Sequence, residues 1–135
     1  MPEKKTIRRA KQDLKEGKSA TTAAGEFVRE EIEHIRHGKH GARSTKQAIA
    51  IGLSKARRAG VPLPPPEKGK VKERTRRSAK RAYEVGQGKK KSRAPSRKRS
   101  RAMSQALKRE SRRVVSKEAL SRQAKAAAAR RKKAA

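Results

Sequence analysis

Apolar residues recur at helical spacing in three stretches near the start of the chain and thin out beyond residue 60. The clearest stretch is 43–60, R-S-T-K-Q-A-I-A-I-G-L-S-K-A-R-R-A-G. Ser44 is placed to cap a helix, and Gln47 three residues later completes a capping box. Gly60 supplies a left-handed residue at the end, Val61 the apolar contact after it, and Pro62 the block. On a wheel of about 100° per residue, Ala48, Ile49, Gly52, Leu53, Ala56 and Ala59 share one arc, opposite Lys46, Lys55, Arg57 and Arg58. Ile51 is the misfit. Ala48, Gly52 and Ala56 repeat every four positions, a small-residue face that lets another backbone come close.

Two weaker helices precede it. Residues 2–16 carry Ile7, Ala10 and Leu14 on one stripe and stop at Gly17; this thin face has to dock on something. Thr21 or Thr22 is placed to cap a second helix to about His37, with Ala24, Val28, Ile32 and Ile35 on one face and Phe27 at its edge. Glu26, Glu30 and Glu33 form a separate acidic face that phosphates would repel. A six-residue connection, G-K-H-G-A-R, joins this helix to the Ser44 helix as a helical hairpin or helix-turn-helix. The expected fold is all-α: a helical domain over 1–60 with its core in 22–60, a proline-rich spacer at 61–66, and a basic tail over 67–135.

The tail is expected to be largely disordered, or folded only on a partner. A weak stripe (Val71, Thr75, Ala79, Ala82, Tyr83) precedes a low-complexity run over 86–101. Ser100 and Ser116 are candidate caps for two Ala-rich helices that have propensity but almost no core. Over the whole chain Leu, Ile, Val and Phe number 17, about 13%, where folded domains carry roughly 20% or more.

Charge then sets the function class. The chain has 135 residues and a formal net charge of +30. Residues 1–60 hold 15 basic and 7 acidic side chains; residues 61–135 hold 27 and 5. A self-repelling chain of this kind calls for a polyanionic partner, with nucleic acid the default. One Phe and one Tyr are too few for base-stacking platforms, which leaves the backbone of duplex DNA, read without regard to sequence. In the helical part the candidate contacts are Arg43, Ser44 and Lys46, at a helix N-terminus suited to phosphate, with Lys55, Arg57 and Arg58 beyond them. In the tail they are Arg74, Arg76, Arg77, Lys80 and Arg81, then Lys89, Lys90 and Lys91. Arg97, Lys98, Arg99, Arg101, Arg112, Arg113, Arg130 and Arg131 complete the set. Gln47 is a capping partner before it is a reader of adenine.

Other chemistries find no footing. There is no Cys, so neither a disulfide framework nor a Cys-based zinc site is expected. His34, His37 and His40 lie among basic neighbours and read as surface histidines, not metal ligands. No catalytic constellation or phosphate-binding loop is present, so no enzyme, cofactor or small-molecule substrate is expected. No run is apolar enough for a membrane span or signal core, which leads to the expectation of a cytoplasmic, nucleoid-associated protein.

The stretch from Glu26 to Gly60 resembles a family of small basic bacterial proteins that carry a domain of unknown function. The likeness rests on K-Q-A-I-A-I-[AG]-L-S-x-A-R-x-A-G, met here by Lys46 to Gly60, and covers about residues 22–62. It implies a bacterial cytoplasmic setting and no activity. The tail, with A-K-A-A-A-A-R-R-K-K, resembles the Lys- and Ala-rich tails of linker histones. Two other functions fit the same residues: an RNA- or ribosome-associated protein, and an interaction module using the small-residue face of the Ser44 helix.

Overall fold

The computed structural model describes residues 2–134. Its regular elements are helical: α1 (Lys4–Lys15), α2 (Ala20–Arg36), α3 (Thr45–Arg58), α4 (Glu73–Gly86), α5 (Arg97–Arg109), a 3-10 turn (Arg113–Val115) and α6 (Lys117–Ala134). Among the described residues the only β pairing is an isolated bridge between Lys68 and Val71. The helices gather into two compact units, Met1–Glu31 with Ala50–Ala94 and Ile32–Ile49 with Pro95–Ala135.

In the first unit Ala10 of α1, Ala23, Ala24 and Phe27 of α2, Ala56 of α3 and Val61 form a buried cluster. Ile7, Leu14, Leu53 and Leu63 pack around it. Phe27 is the only large ring in it, so close approach of backbones replaces bulk. A Cβ on Gly52 would lie 2.6 Å from the Val28 Cα, where no side chain fits. The small-residue face of α3 is therefore occupied from within the chain. Ala48, Gly52 and Ala56 are buried, whereas Ala59, expected on the same arc, is exposed.

Helix α3 ends as its sequence requires. Gly60 sits at φ 101°, its N–H bonds the Arg57 carbonyl at 3.1 Å, and the Val61 N–H bonds the Ala56 carbonyl at 3.1 Å. These two bonds satisfy carbonyls that a helix end would otherwise leave open. The prolines that follow are held against the helix. Arg57 donates from Nε to the Leu63 carbonyl and from Nη2 to that of Pro64, both at 3.2 Å. Helix α4 buries Ala79 and Ala82 and meets the end of α3 through Gly86, where a Cβ would lie 1.7 Å from the Arg57 carbonyl oxygen.

The acidic face expected on α2 needs correction. Glu30 and Glu31 are buried, with 4% and 0% exposure, and each serves another helix. Helix α1 has no capping side chain of its own. Glu30 supplies one from α2, its Oε1 accepting the Glu3 N–H at 2.6 Å and the Thr6 hydroxyl at 3.2 Å. A carboxylate there also meets the positive end of the α1 dipole. Glu31 forms an ion pair with Lys55 of α3. The cap of α2 also differs from expectation: Ser19, not Thr21 or Thr22, accepts the Thr22 N–H at 3.2 Å.

In the second unit the core is Ile35 of α2, Ala42, Ala48 of α3 and Val115, with Ile32 and Val114 beside them. This overturns the expectation of a disordered tail, because residues 73–134 carry α4, α5, the 3-10 turn and α6. Backbone pairing accounts for much of the anchoring. The Gly41 N–H bonds the Leu107 carbonyl at 2.7 Å, and the Ala42 N–H bonds that of Ser111 at 3.0 Å. Arg36 donates from Nε and Nη2 to the Val115 carbonyl at 3.3 and 3.2 Å, and the Thr45 hydroxyl donates to the Val114 carbonyl at 2.5 Å. Helix α5 starts at Ser96, whose Oγ accepts the Arg99 N–H at 3.4 Å, rather than at Ser100. Ser116 caps α6 as expected, accepting the Ala119 N–H at 3.1 Å.

Two substitutions test these contacts. Gly52→Ala forces a methyl into the Val28 backbone and is expected to cost about 1–3 kcal/mol, read as a lower urea midpoint at unchanged slope. A midpoint equal to the parent's would place Gly52 outside the packing. Val115→Ala, at a residue 1% exposed, is expected to cost a similar ~1–3 kcal/mol and to speed amide exchange at Gly41 and Ala42. Fast exchange at both amides already in the parent would restore a tail that is unfolded without a partner.

Candidate nucleic-acid interface

The fold sorts the basic residues into those spent on internal partners and those left facing out. At the start of α3, Ser44 Oγ accepts the Gln47 N–H at 3.1 Å and Gln47 Oε1 accepts the Arg43 N–H at 2.6 Å. Two amides of this helix start are thus engaged by the capping residues, and the Thr45 hydroxyl is given to Val114. Gln47 acts as a cap. Lys46, with Ser44 and Thr45, lines one wall of a groove whose other wall is Ala119, Arg122, Gln123 and Ala126 of α6. Arg43, Ser44 and Lys46 are exposed at this helix start.

Farther along α3, Lys55 is paired with Glu31, and Arg57 is 8% exposed with two carbonyl partners. Burial lowers the pKa of Arg57, so its charge is costly where it stands and offset by those carbonyls. Neither side chain is presented to an outside anion. On α4, Arg76 makes a two-pronged contact with Glu73 at 3.2 and 3.1 Å, and Arg77 lies 3.5 Å from the same carboxylate. Arg74 and Lys80 are exposed, as are Lys89 and Lys91 in the loop after α4. Lys90 pairs with Glu84 at 2.9 Å.

Two concavities collect cations that sequence spacing does not connect. Arg58, Arg81 and Arg93 line a small hollow with Ser92 and Val85 in the first unit. In the second unit Arg36, Arg112 and Arg113 line a shallow cleft with Ser111, Val115 and Ser116. Ser92, Arg93 and Arg36 were not among the expected contacts. The run K-K-K-S-R gave no periodicity to single out Arg93, and Arg36 read as the plain basic end of a helix.

The largest uncommitted display is α5 with α6. Helix α5 carries Arg97, Lys98, Arg99, Arg101, Lys108 and Arg109, contains no acid, and buries no residue. At about 100° per residue, five of these six, all but Arg99, fall within an arc of roughly 120°. Lys108 and Arg109 belong to that stripe although the sequence reading passed them over. Helix α6 adds Lys117, Arg122, Lys125, Arg130, Arg131, Lys132 and Lys133 against the single acid Glu118. Arg130 bonds the Ala126 carbonyl at 3.4 Å within its own helix.

Residues 15–68 match a family of unknown function (DUF6496). The matched span takes in α2, α3 and the proline segment, and it leaves α4, α5 and α6 outside. No curated protein and no solved structure matches the chain. Among the described residues no helix is long and apolar enough to cross a membrane.

One contact near the hollow gives a pH test. The Lys90 ammonium, by its hydrogen bond to Glu84, is the main reason that carboxyl titrates below its ordinary 4.5; Lys80 and Lys89 add to the effect and burial opposes it. A depressed carboxyl contributes stability in full above its unfolded value and loses it as pH falls through the folded one. Acidification is therefore expected to loosen the backbone at Lys89 and Lys90, whose N–H groups both bond the Glu84 carbonyl. Glu84→Gln should loosen it already at neutral pH. Identical amide exchange in parent and variant at both pH values would show that the ion pair does not hold this loop.

Proposed function

We propose that this protein is a non-catalytic binder of duplex nucleic acid, DNA first, that grips the phosphate backbone without reading sequence. The observation that carries this reading is α5, a helix of 13 residues with six cations, no acid and no buried residue. Its own packing gives it little reason to be helical. Its apolar residues Ala102, Met103, Ala106 and Leu107 lie on the side opposite the cationic stripe. That stripe needs something beyond the chain to neutralise it, and a regular polyanion does so along its length. At about 1.5 Å rise per residue the stripe runs for roughly 18 Å, which spans several phosphates of a duplex.

The scarcity of rings supports a grip on the backbone over base stacking, since the chain holds one Phe and one Tyr. Gln47, the one candidate base reader, is engaged in capping α3. The resemblance of the tail to linker-histone tails favours a nucleoid setting and a role in condensation, with the cations of α4 and those of α5 and α6 as separate grips.

A salt titration tests the reading. Each phosphate contact contributes a slope of about −0.9 in log affinity against log salt, so six to ten contacts imply a loss of roughly a thousandfold or more between 50 and 200 mM. The triple variant Arg97→Gln, Lys98→Gln, Arg101→Gln is expected to flatten the slope by about two to three units, equally on two unrelated duplexes of equal length. A shallow parent slope, or a hundredfold preference between the duplexes, would overturn the proposal. Tighter binding to duplex RNA of the same length would move it from DNA to RNA.

A further inference from the structure

We infer that the hollow formed by Arg58, Arg81, Arg93 and Ser92 is a binding site for a single phosphate-type oxyanion. Its wall combines the last residue of α3, the middle of α4 and the loop after α4, three segments separate in sequence. Each brings a guanidinium, the planar donor suited to an oxyanion, and Ser92 adds a hydroxyl. The space is about 40 Å³. One water needs only ~10–15 Å³ of such room, so the hollow suits a group of a few oxygen atoms and not a flat ring.

Nothing inside the chain uses these donors. Among the described residues none of the three guanidiniums has an ion pair or an internal hydrogen bond. The nearby helix ends do not account for them either. The last turn of α3 is closed by the Gly60 and Val61 N–H groups, and that of α4 by Gly88 and Lys89 bonding Val85 and Glu84 at 3.1 and 2.8 Å. Three like charges held around one hollow repel one another, and a bound anion relieves that repulsion.

The hollow is also held in shape. Gly86 brings the α4 backbone against Arg57, Gln87 Nε2 donates to the Gly60 carbonyl at 3.2 Å, and Lys90 ties the loop to Glu84. These contacts fix the helix ends and the loop on which the three exposed arginines stand, so the backbone of the site is arranged beforehand. The inference does not depend on the nucleic-acid reading, because a small phosphate compound and a backbone phosphate present the same oxygens.

The test titrates inorganic phosphate into the full-length protein and follows backbone amides by NMR. Saturable shifts centred on Arg81, Ser92 and Arg93 are expected. They should weaken by at least about tenfold in Arg81→Gln/Arg93→Gln, and stay unchanged in Arg8→Gln/Arg9→Gln, which removes the same charge from the exposed side of α1. Shifts spread over the whole cationic surface without saturation, or equal weakening in both variants, would overturn the site. Duplex DNA then separates the sources. A greater loss of duplex affinity in the first variant than in the second assigns the hollow to a backbone phosphate. Equal duplex affinity with phosphate binding lost only in the first assigns it to a free phosphate compound. Should the parent take phosphate and not bind a duplex, the hollow stands and the nucleic-acid proposal falls.

Discussion

A chain with 42 basic and 12 acidic side chains folds only if its few carboxylates are well placed. In the first unit the decisive ones are Glu30 and Glu31, adjacent on α2 and both buried. One caps the start of α1 and the other pairs with Lys55 of α3. Removing a carboxylate from water is costly unless it finds donors. Glu30 finds two through Oε1, its Oε2 being buried without a hydrogen-bond partner among the described residues, and Glu31 finds Lys55. The surrounding apolar cluster is small, and α2, whose four acids outnumber its two arginines, draws the basic α1 and α3 to it. Alanine supplies four of the cluster's six buried members, and Phe27 is the one large side chain.

The second unit meets the same shortage differently. Its buried apolar residues are Ile35, Ala42, Ala48, Val115 and Ala119, and much of the rest of the attachment is main-chain hydrogen bonding. The loop amides of Gly41 and Ala42 meet carbonyls near the end of α5, while Arg36 and Thr45 meet the carbonyls of Val115 and Val114. Such bonds tolerate almost any side chain at the accepting residue. That freedom allows α5 and α6 to be nearly all Lys, Arg, Ala and Ser and still be held to a folded unit.

The legible parts of the fold were those written in local chemistry. Ser44 and Gln47, Gly60 with Val61, the stripe of α1, and the cap at Ser116 can each be seen within six or seven residues. The folded tail was not legible because its anchors are long-range. Besides the small Ala79, Ala82 and Ala119, its core contribution is Val114 and Val115, the one adjacent pair of branched apolar residues in 67–135, and their hydrogen-bond partners lie 69 and 79 residues upstream. The inward turn of Glu30 and Glu31 was hidden for the same reason. A helical wheel shows a shared face but not whether that face meets solvent or the start of another helix. Of the site, charge told the class of partner, and composition could not separate Arg57 from Arg58. One is buried against the proline segment, and its neighbour opens into a hollow with Arg81 and Arg93.

This sorting decides what the surface can do. Adjacent cations with equal formal charge differ in effect once one has a partner: Lys55, Arg57, Arg76 and Lys90 each hold an acid or a carbonyl, and their fields are largely cancelled where they stand. What remains is uneven. Exposed cations line α1 and α4 and are densest along α5 and α6 as a stripe, while at the junction of α3 and α4 three arginines share a hollow. A stripe of flexible side chains matches a repeating polyanion, because each phosphate can be met by whichever cation is near, and the gain comes from counterion release. A hollow lined by three arginines matches one oxyanion in one place, because the backbone segments that carry them are tied together before the ligand arrives. The two geometries call for different physics of binding, and a uniformly charged tail would have offered only the first.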